Sequence, residues 1–342
     1  MKTKVAVNGY GVIGRRVADA VALQDDMELA GVADVVTDWR ARIAVKRGYP
    51  LFAATDEAFE EMKAAGLDPR GTVNALLEES DVVVDCTPKG VDAKNRSRYE
   101  EVGIRAIFQG GAEHELAGHS FVASANYDSA LERRRTRVVS CNTTSTVRTL
   151  LALRNAGLLQ RARGVLQRRA TDPWESHKGG IMNTMVPEPE IPSHQGPDAK
   201  TVIPDLDVVT MASKAPQNVA HLHHWVVELT RAANRDEILE AFRAAPRIAF
   251  IREDEGISAL NVTAEVMKEI GRPRGDMWEV AIWEDILTVE GRELFYAYQV
   301  DNQAIVVPET IDAIRALTAT ERNAAASMRR TDETLGIRSD FL

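Results

Sequence analysis

The sequence predicts a two-domain α/β protein: a doubly wound parallel sheet, followed by an α+β domain whose sheet is mostly antiparallel. Over the first 140 residues, short apolar strands alternate with helical patterns, which is typical of a parallel sheet covered by helices. Beyond about residue 160, long strands and a Gly/Pro/His-rich stretch replace that alternation. A chain of 342 residues is long enough for two domains. We place the first domain at residues 1–140 and 303–342, and the second at residues 141–302.

The elements of the first domain follow from apolar runs that end at turn residues. A short buried strand at residues 4–8 leads through a glycine-rich turn into a helix that extends to about Leu23. The same reasoning predicts further strands at 28–34, 81–88, 106–111, 121–124 and 138–140, with helices at 54–66 and 92–102.

The second domain is predicted from longer strands. They lie at 164–170, 247–252, 279–288 and 293–300, and a helix lies at 235–244. We place the histidines of segment 218–231 on a helix. Residues 309–322, after Pro308, form an amphipathic helix that we expect to pack back on the first domain.

Composition excludes several functions. The net charge is −9, which argues against a nucleic-acid partner. No apolar run approaches the ~20 residues needed to cross a bilayer, and no secretory signal is visible. Cys86 and Cys141 form neither a CxxC pair nor metal-ligand spacing with histidines. We therefore expect a cytoplasmic protein without a metal or a membrane partner.

The first strand runs into a glycine fingerprint. Gly9-x-Gly11-x-x-Gly14 follows this strand and opens a helix, with Val12 and Ile13 at the helix start. These glycines permit a tight turn, a close approach of the pyrophosphate and close helix–strand packing. Phosphates would then lie over the helix N-terminus. The pattern predicts a Rossmann-type dinucleotide site.

The choice between NAD and NADP stays open. Asp34 ends the second strand and could accept hydrogen bonds from the adenine ribose, which favours NAD. A capping or solvated aspartate is the alternative, and Asp38 competes for the cap because a helical pattern begins at Trp39. Arg40 and Arg42 are near enough in sequence to meet the 2′-phosphate of NADP.

Cys141 indicates covalent chemistry. It stands where an apolar strand gives way to a hydroxyl-rich helix start, and the positive end of the helix dipole there favours thiolate. A thiolate attacks carbonyl carbon, so a nicotinamide cofactor beside it predicts aldehyde oxidation through a thioester. A buried, inert cysteine is the alternative. The reaction needs a base near the thiol, and His221, His223 and His224 cluster in one segment.

Several separated motifs occur in an order that resembles one family. They are Asn-Gly-Tyr-Gly-Val-Ile-Gly at 8–14, Gln-Gly-Gly at 109–111, Ser-Cys-Asn-Thr-Thr at 140–144, Arg-Arg-Ala-x-Asp-Pro at 168–173, Pro-Ser-His-x-Gly-Pro-Asp at 192–198 and His-Leu-His at 221–223. Together they resemble the archaeal-type phosphorylating glyceraldehyde-3-phosphate dehydrogenases. The resemblance implies oxidation of D-glyceraldehyde 3-phosphate with inorganic phosphate and NAD or NADP, reversibly, in a homotetramer.

The resemblance also implies residue roles. Cys141 would be the acylated nucleophile and His221 its base, while His223, on a helix, would face elsewhere. The substrate contacts would be Ser140, Asn142, Arg168, His194 and Gln195. The cofactor contacts would be Gly9, Gly11, Val12, Ile13, Gly14, Asp34, Gly111, Arg169 and Gln303.

The residues themselves suit some of these roles. The Asn142 side chain or nearby backbone amides could hold a developing oxyanion. Arg168 and Arg169 suit phosphate oxygens through forked hydrogen bonds, although a solvated pair is the alternative. Gln195 departs from the family, which commonly has a histidine there; it can bond a substrate hydroxyl but carries no charge. Residues 217–220 also lack the family's common Thr-Thr pair.

Other functions compete with this interpretation. Another thioester-forming enzyme, a semialdehyde or acyl-phosphate reductase, would use the same architecture. A reductase without covalent catalysis would leave Cys141 without a role. From a different class, a nucleotide-binding or redox-sensing regulator would oxidise Cys141 instead of acylating it.

Overall fold

The computed structural model of the chain describes residues 1–109, 111–179 and 183–342, and it confirms the predicted fold class. The chain divides into two compact units, residues 1–140 with 306–336 and residues 141–305 with 337–342. Residues 303–305 and 337–342 thus lie in the second unit, whereas we placed them in the first domain from sequence.

The first unit contains a sheet of seven parallel strands in the order β3-β2-β1-β4-β5-β7-β6. Its strands and helices are β1 (Thr3–Asn8), α1 (Val12–Leu23), β2 (Met27–Asp34), α2 (Trp39–Lys46), β3 (Leu51–Ala53), α3 (Asp56–Ala64), α4 (Val73–Glu78), β4 (Val82–Asp85), α5 (Val91–Val102), β5 (Arg105–Phe108), α6 (His114–Ala117), β6 (Ser120–Phe121), α7 (Ala123–Ala130) and β7 (Arg135–Val138). The predicted strand at 121–124 is wrong in its second half, because Ala123 already begins α7.

The second unit contains a mixed sheet of eight strands. The order is β12-β13-β15-β11-β8-β10-β9, with β14 on β15; among the strand pairs of the described residues, β8–β10 and β12–β13 are parallel and the others are antiparallel. Its elements are α8 (Cys141–Asn155), β8 (Leu159–Arg169), α9 (Ser176–Gly179), β9 (Val186–Pro187), α10 (Gln195–Lys200), β10 (Val208–Ala215), β11 (His221–Leu229), α11 (Arg235–Arg243), β12 (Ile248–Ile251), α12 (Leu260–Glu269), β13 (Val280–Trp283), β14 (Thr288–Glu290) and β15 (Glu293–Val300), with 3₁₀ turns at Pro173–Glu175, Glu253–Glu255 and Glu284–Ile286.

The helices α13 (Val306–Thr318) and α14 (Ala324–Leu335) return to the first unit. There α13 packs on α1, α7, β5 and β7. We predicted an amphipathic helix with one solvated face, but every side chain from Val306 to Leu317 is buried. The charged residues among them are paired inside the unit: Arg315, which is fully buried, bonds Asp26, Gln24 and Thr331.

The histidines of segment 218–231 lie on a strand, β11 (His221–Leu229), and not on a helix. In β11 the buried residues alternate with more exposed ones from His221 to Leu229. Successive side chains of a strand point to opposite faces, so residues two apart share a face. His221 and His223 therefore lie on the same face of the sheet, and both are buried. Our expectation that His223 faces elsewhere is wrong.

Candidate active site

Cys141 is the first residue of α8, in the second unit. The helix is buried along most of its length and packs against α10, α11, β8, β13 and β15. The Cys141 Sγ lies 3.5 Å from Nε2 of His221, so the structure brings the predicted nucleophile and base together. Ser140, which directly precedes Cys141, is the last residue of segment 1–140 of the first unit.

The resting thiol is not ionised at neutral pH. Cys141 is only partly exposed, and burial raises the pKa of its thiol to about 11. The charges of Arg169 and Arg168 and the Asn142 backbone N–H oppose this rise without cancelling it. A thiol needs an external change, such as bound substrate or a base, to become the nucleophile.

A main-chain N–H group orients the His221 ring. Its Nδ1 accepts a hydrogen bond from the Arg169 N–H at 3.0 Å. A neutral imidazole whose Nδ1 accepts must carry its proton on Nε2, the atom that faces Cys141. Burial, then the charges of His223, Arg169 and Arg168, lower the pKa of His221 well below 6.5. The resting pair is therefore a thiol beside a neutral ring.

His223 reaches Asn142, the residue next to the nucleophile. Its Nε2 lies 2.8 Å from Asn142 Oδ1, and its Nδ1 lies 2.8 Å from the Tyr298 hydroxyl. The Tyr298 hydroxyl is also 3.2 Å from Ser145 Oγ, and Ser145 donates to the Asn142 carbonyl at 2.8 Å. Sequence reasoning missed Tyr298 and Ser145. The period-two pattern of β11, with its histidines counted as buried, is the signal that places His223 beside them.

Asp172 joins two of the predicted cofactor residues. Its Oδ1 accepts from Gln303 Nε2 at 2.6 Å, pairs with Arg169 Nη2 at 3.0 Å and lies 3.4 Å from Asn302 Nδ2. Arg169 and Gln303 are thus brought to one carboxylate, although 134 positions separate them in sequence. Asp172 belongs to the Arg-Arg-Ala-x-Asp-Pro motif, but sequence reasoning gave it no role.

Arg168 lies in a second cluster with His194 and Gln195, at the N-terminus of α10. It pairs with Glu188, whose other carboxylate oxygen is 3.8 Å from His194 Nδ1. The Gln195 Nε2 lies 3.1 Å from His194 Nε2. Gln195 is fully buried, and within the described residues its Oε1 has no hydrogen-bond partner. This cluster therefore gathers three of the predicted substrate residues and leaves one acceptor unused.

The glycine fingerprint of the first unit forms a tightly packed turn with free space beside Gly11. Gly9 has φ +94°, and a Cβ there would lie 2.8 Å from the Cys86 backbone. A Cβ on Gly14 would lie 1.9 Å from the Gly9 carbonyl oxygen, so α1 can cross this turn only without a side chain. A Cβ on Gly11 would meet nothing within 4 Å. Val12 and Ile13, half-buried, form the uncapped first turn of α1.

Asp34 lies beside this turn, and Asp38 takes the helix cap. The Asp34 carboxylate accepts the Tyr10 and Val35 N–H groups, each at 2.7 Å. Asp38 accepts the Arg40 N–H as the N-cap of α2 and also pairs with the Arg40 guanidinium at 2.7 Å. The capping alternative for Asp34 is therefore excluded.

Gly111 is exposed and a Cβ on it would meet nothing within 4 Å, while Gly110 beside it lies outside the described residues. In the part of the chain that the structure describes, no three His, Cys, Asp or Glu side chains gather as a metal site would require. The helices of that part include none long and apolar enough to cross a membrane.

The chain is similar to known proteins over its full length. Residues 140–285 match the family model of the C-terminal domain of glyceraldehyde 3-phosphate dehydrogenase. The chain is 44% identical over 343 residues to the glyceraldehyde-3-phosphate dehydrogenase of Archaeoglobus fulgidus, with 100% of both chains covered. It is 43% identical over 340 residues to that of Methanosarcina mazei, with 98% of this chain and 100% of the relative covered.

A third relative agrees with these two. The glyceraldehyde-3-phosphate dehydrogenase of Methanothermobacter thermautotrophicus is 44% identical over 334 residues, which cover 97% of this chain and 99% of the relative. An identity of this size over the whole length establishes the family, and it confirms the resemblance of the motifs. The chain therefore belongs to the glyceraldehyde-3-phosphate dehydrogenase family, in its archaeal-type branch.

Proposed function

We propose that the protein is a phosphorylating glyceraldehyde-3-phosphate dehydrogenase that works through a thioester on Cys141. The observation that carries this proposal is the Cys141–His221 pair, 3.5 Å apart, at the start of α8. It stands in a chain whose full-length relatives bear that enzyme name. The substrates are D-glyceraldehyde 3-phosphate and inorganic phosphate, and the product is 1,3-bisphosphoglycerate.

The chemistry at Cys141 has three steps. The sulfur adds to the aldehyde carbon and the thiol proton passes, through the base, to the former carbonyl oxygen, which gives a hemithioacetal. A nicotinamide bound beside this carbon would accept its hydrogen as hydride. Loss of the hydroxyl proton then leaves a thioester on Cys141. Inorganic phosphate attacks the thioester carbonyl, and the acyl phosphate departs as the thiolate is released.

His221 serves as the base in this proposal, and the Arg169 amide limits when it can act. A ring that takes the thiol proton at Nε2 must hold its other proton on Nδ1. That proton would face the Arg169 N–H, which donates to Nδ1 in the resting structure. The ring must therefore move off this amide as it becomes charged, which agrees with the lowered pKa of His221.

The first unit suits a dinucleotide. The space beside Gly11 leaves the backbone open, and the uncapped start of α1 offers N–H groups to phosphate oxygens. We propose that NAD is preferred, because the Asp34 carboxylate at this turn can accept ribose hydroxyls and repels a 2′-phosphate. Arg40, which could have met that phosphate, already pairs with Asp38. Arg169 and Gln303, joined through Asp172, are the further cofactor contacts.

The substrate contacts are proposed from the second unit. Gln195 Oε1, buried and unpartnered among the described side chains, can accept a substrate hydroxyl. Arg168 and His194 provide nitrogen donors for phosphate oxygens, although Glu188 competes for both. A homotetramer is proposed from the family, and light scattering after size-exclusion chromatography tests it.

The test is a steady-state assay with glyceraldehyde 3-phosphate and phosphate, comparing NAD with NADP. We expect Cys141→Ser to abolish turnover while cofactor affinity survives. Cys86→Ser is the matched control, because burial and Asp85 raise the pKa of that thiol well above 9 and make it inert. Turnover by Cys141→Ser near the wild-type rate would contradict the covalent mechanism. No turnover of the wild type with either cofactor would favour a semialdehyde or acyl-phosphate reductase.

A further inference from the structure

We propose that His223 is a positioning residue that holds the Asn142 amide with its Nδ2 toward the reacting oxygen at Cys141. Asn142 follows the nucleophile in the first turn of α8, and its side chain is 4% exposed. The donor Nδ2 would stabilise the charge that develops on the aldehyde oxygen when the sulfur attacks. This inference rests on the proposed function, since it assumes that Cys141 attacks a carbonyl.

The contacts fix which end of the amide faces His223. Asn142 Oδ1 lies 2.8 Å from His223 Nε2, so the amide's other end, Nδ2, is directed away from that ring. A carbonyl oxygen only accepts, and therefore Nε2 must carry a proton. Because the two histidines share one face of β11, one ring reaches the sulfur and the other reaches the neighbouring amide.

The groups around His223 are compatible with this tautomer. Its ring is fully buried, and burial, with the charges of His224 and Arg168, lowers its pKa to about 3. The ring is therefore neutral at neutral pH, with one proton on Nε2 and an acceptor at Nδ1. The Tyr298 hydroxyl has one proton and two acceptors within reach, Nδ1 at 2.8 Å and Ser145 Oγ at 3.2 Å; the inference assigns this proton to the shorter contact, so that Nδ1 accepts. The opposite orientation of the Asn142 amide would require the proton on Nδ1 instead.

Tyr298 has a natural control two residues earlier on β15. Tyr296 lies on the same face of that strand, is equally buried, and touches Tyr298 with ring centroids 6.0 Å apart. Its hydroxyl makes no contact with His223 among the described hydrogen bonds. Tyr298→Phe removes the donor to Nδ1. Tyr296→Phe removes a hydroxyl from the same environment but leaves the Tyr298–His223–Asn142 contacts in place.

The first experiment measures acylation in a single turnover with glyceraldehyde 3-phosphate and NAD. We expect Asn142→Ala to slow the cofactor-reduction burst ~100-fold, the typical effect of losing one oxyanion donor. His223→Gln and Tyr298→Phe should each slow the burst about tenfold, a partial loss of that same effect, and Tyr296→Phe should leave it unchanged. In the Asn142→Ala background, Tyr298→Phe should have no further effect, since it acts through Asn142. Additive effects, or an unaffected burst in both His223→Gln and Tyr298→Phe, overturn the inference.

Two further readouts separate positioning from general damage. Alkylation of Cys141 by iodoacetamide creates no carbonyl oxyanion, so its rate should stay within about twofold of wild type in every variant with an intact thiol environment. Nitrogen-15 NMR of the wild-type protein should show His223 protonated on Nε2, and protonation on Nδ1 overturns the inference. A wild-type protein without a burst would overturn the proposed function and this inference with it. A normal wild-type burst that the variants leave intact overturns the inference alone.

Discussion

Replacing Gly11 with alanine tests whether the glycine turn binds a dinucleotide. The added Cβ meets no atom within 4 Å, and Gly11 has φ −79°, which any residue adopts. We therefore expect the free energy of unfolding to change by no more than ~0.5 kcal/mol. The methyl group would instead occupy the space through which a pyrophosphate approaches the backbone.

The expected loss of affinity follows from the hydrogen bonds that the methyl group prevents. A backbone N–H bonded to a charged oxygen contributes about 1.5 kcal/mol or more, and we expect a bound pyrophosphate to accept two such bonds at the start of α1. Losing both costs about 3 kcal/mol, which is a factor of ~100 in Kd. The Kd for NAD should therefore rise about 100-fold while the melting temperature of the free protein stays within a few degrees.

Fluorescence titration with NAD and NADP, together with thermal melts, makes this measurement. Gly14→Ala is the contrasting variant, since its Cβ would lie 1.9 Å from the Gly9 carbonyl oxygen and must displace the turn. That variant should lose stability as well as affinity. An unchanged Kd in Gly11→Ala would refute the dinucleotide site at this turn.

Three further predictions concern buried charges and titrating groups. Arg315→Met leaves the buried Asp312 and the partly buried Asp26 without this cation and should lower the free energy of unfolding by about 3–5 kcal/mol, whereas Arg154→Met, which breaks an exposed pair with Asp205, should cost less than ~1 kcal/mol. Urea denaturation measures both, and equal losses would contradict the role of burial. Because the pKa of His223 is lowered to about 3, the unfolded chain binds more protons below pH 6.5, so stability should fall by about 1.4 kcal/mol per unit as pH drops from 6.5 toward 3. In His223→Gln the free energy of unfolding should depend less steeply on pH over this range. Parallel pH profiles of the variant and the wild type would contradict the lowered pKa of His223. Asp172→Asn keeps an acceptor but removes the charge beside Arg169, so the Kd for NAD should rise about tenfold, as expected for one charge-assisted bond; an unchanged Kd would contradict a role of Asp172 in holding Arg169 for the cofactor.

The strand β11 shows where the sequence misled us. Its pattern from His221 to Leu229 alternates strictly between buried and more exposed residues, as a strand should. We missed the alternation because histidine counts as polar, whereas His221 and His223 are 4% and 0% exposed. The spacing of two then has the opposite meaning: on a helix it separates the two rings, and on a strand it places them together.

The helix α13 shows the converse error. Glu309, Asp312 and Arg315 look like a solvated face in the sequence, yet all three are buried. Glu309 accepts the Ala123 N–H, and Asp312 accepts the hydroxyls of α14. Such partners come from distant segments, so no local pattern reveals them. The parallel sheet, by contrast, was predictable because its apolar strands and glycine turn are local signals, and the fold class and family are confirmed.

The hydrogen bond that orients His221 comes from a main-chain amide, which every amino acid except proline possesses. Substitutions of the Arg169 side chain therefore leave this hydrogen bond in place, although they remove a charge that acts on the pKa of both Cys141 and His221. What the pair depends on is strand register: Gln167 of β8 stands opposite Leu222 of β11. A slip of one residue would turn His221 to the other face of the sheet. The orientation of His221 thus depends on the whole pairing of β8 with β11. It should therefore tolerate most point mutations but not the insertion of a single residue in either strand.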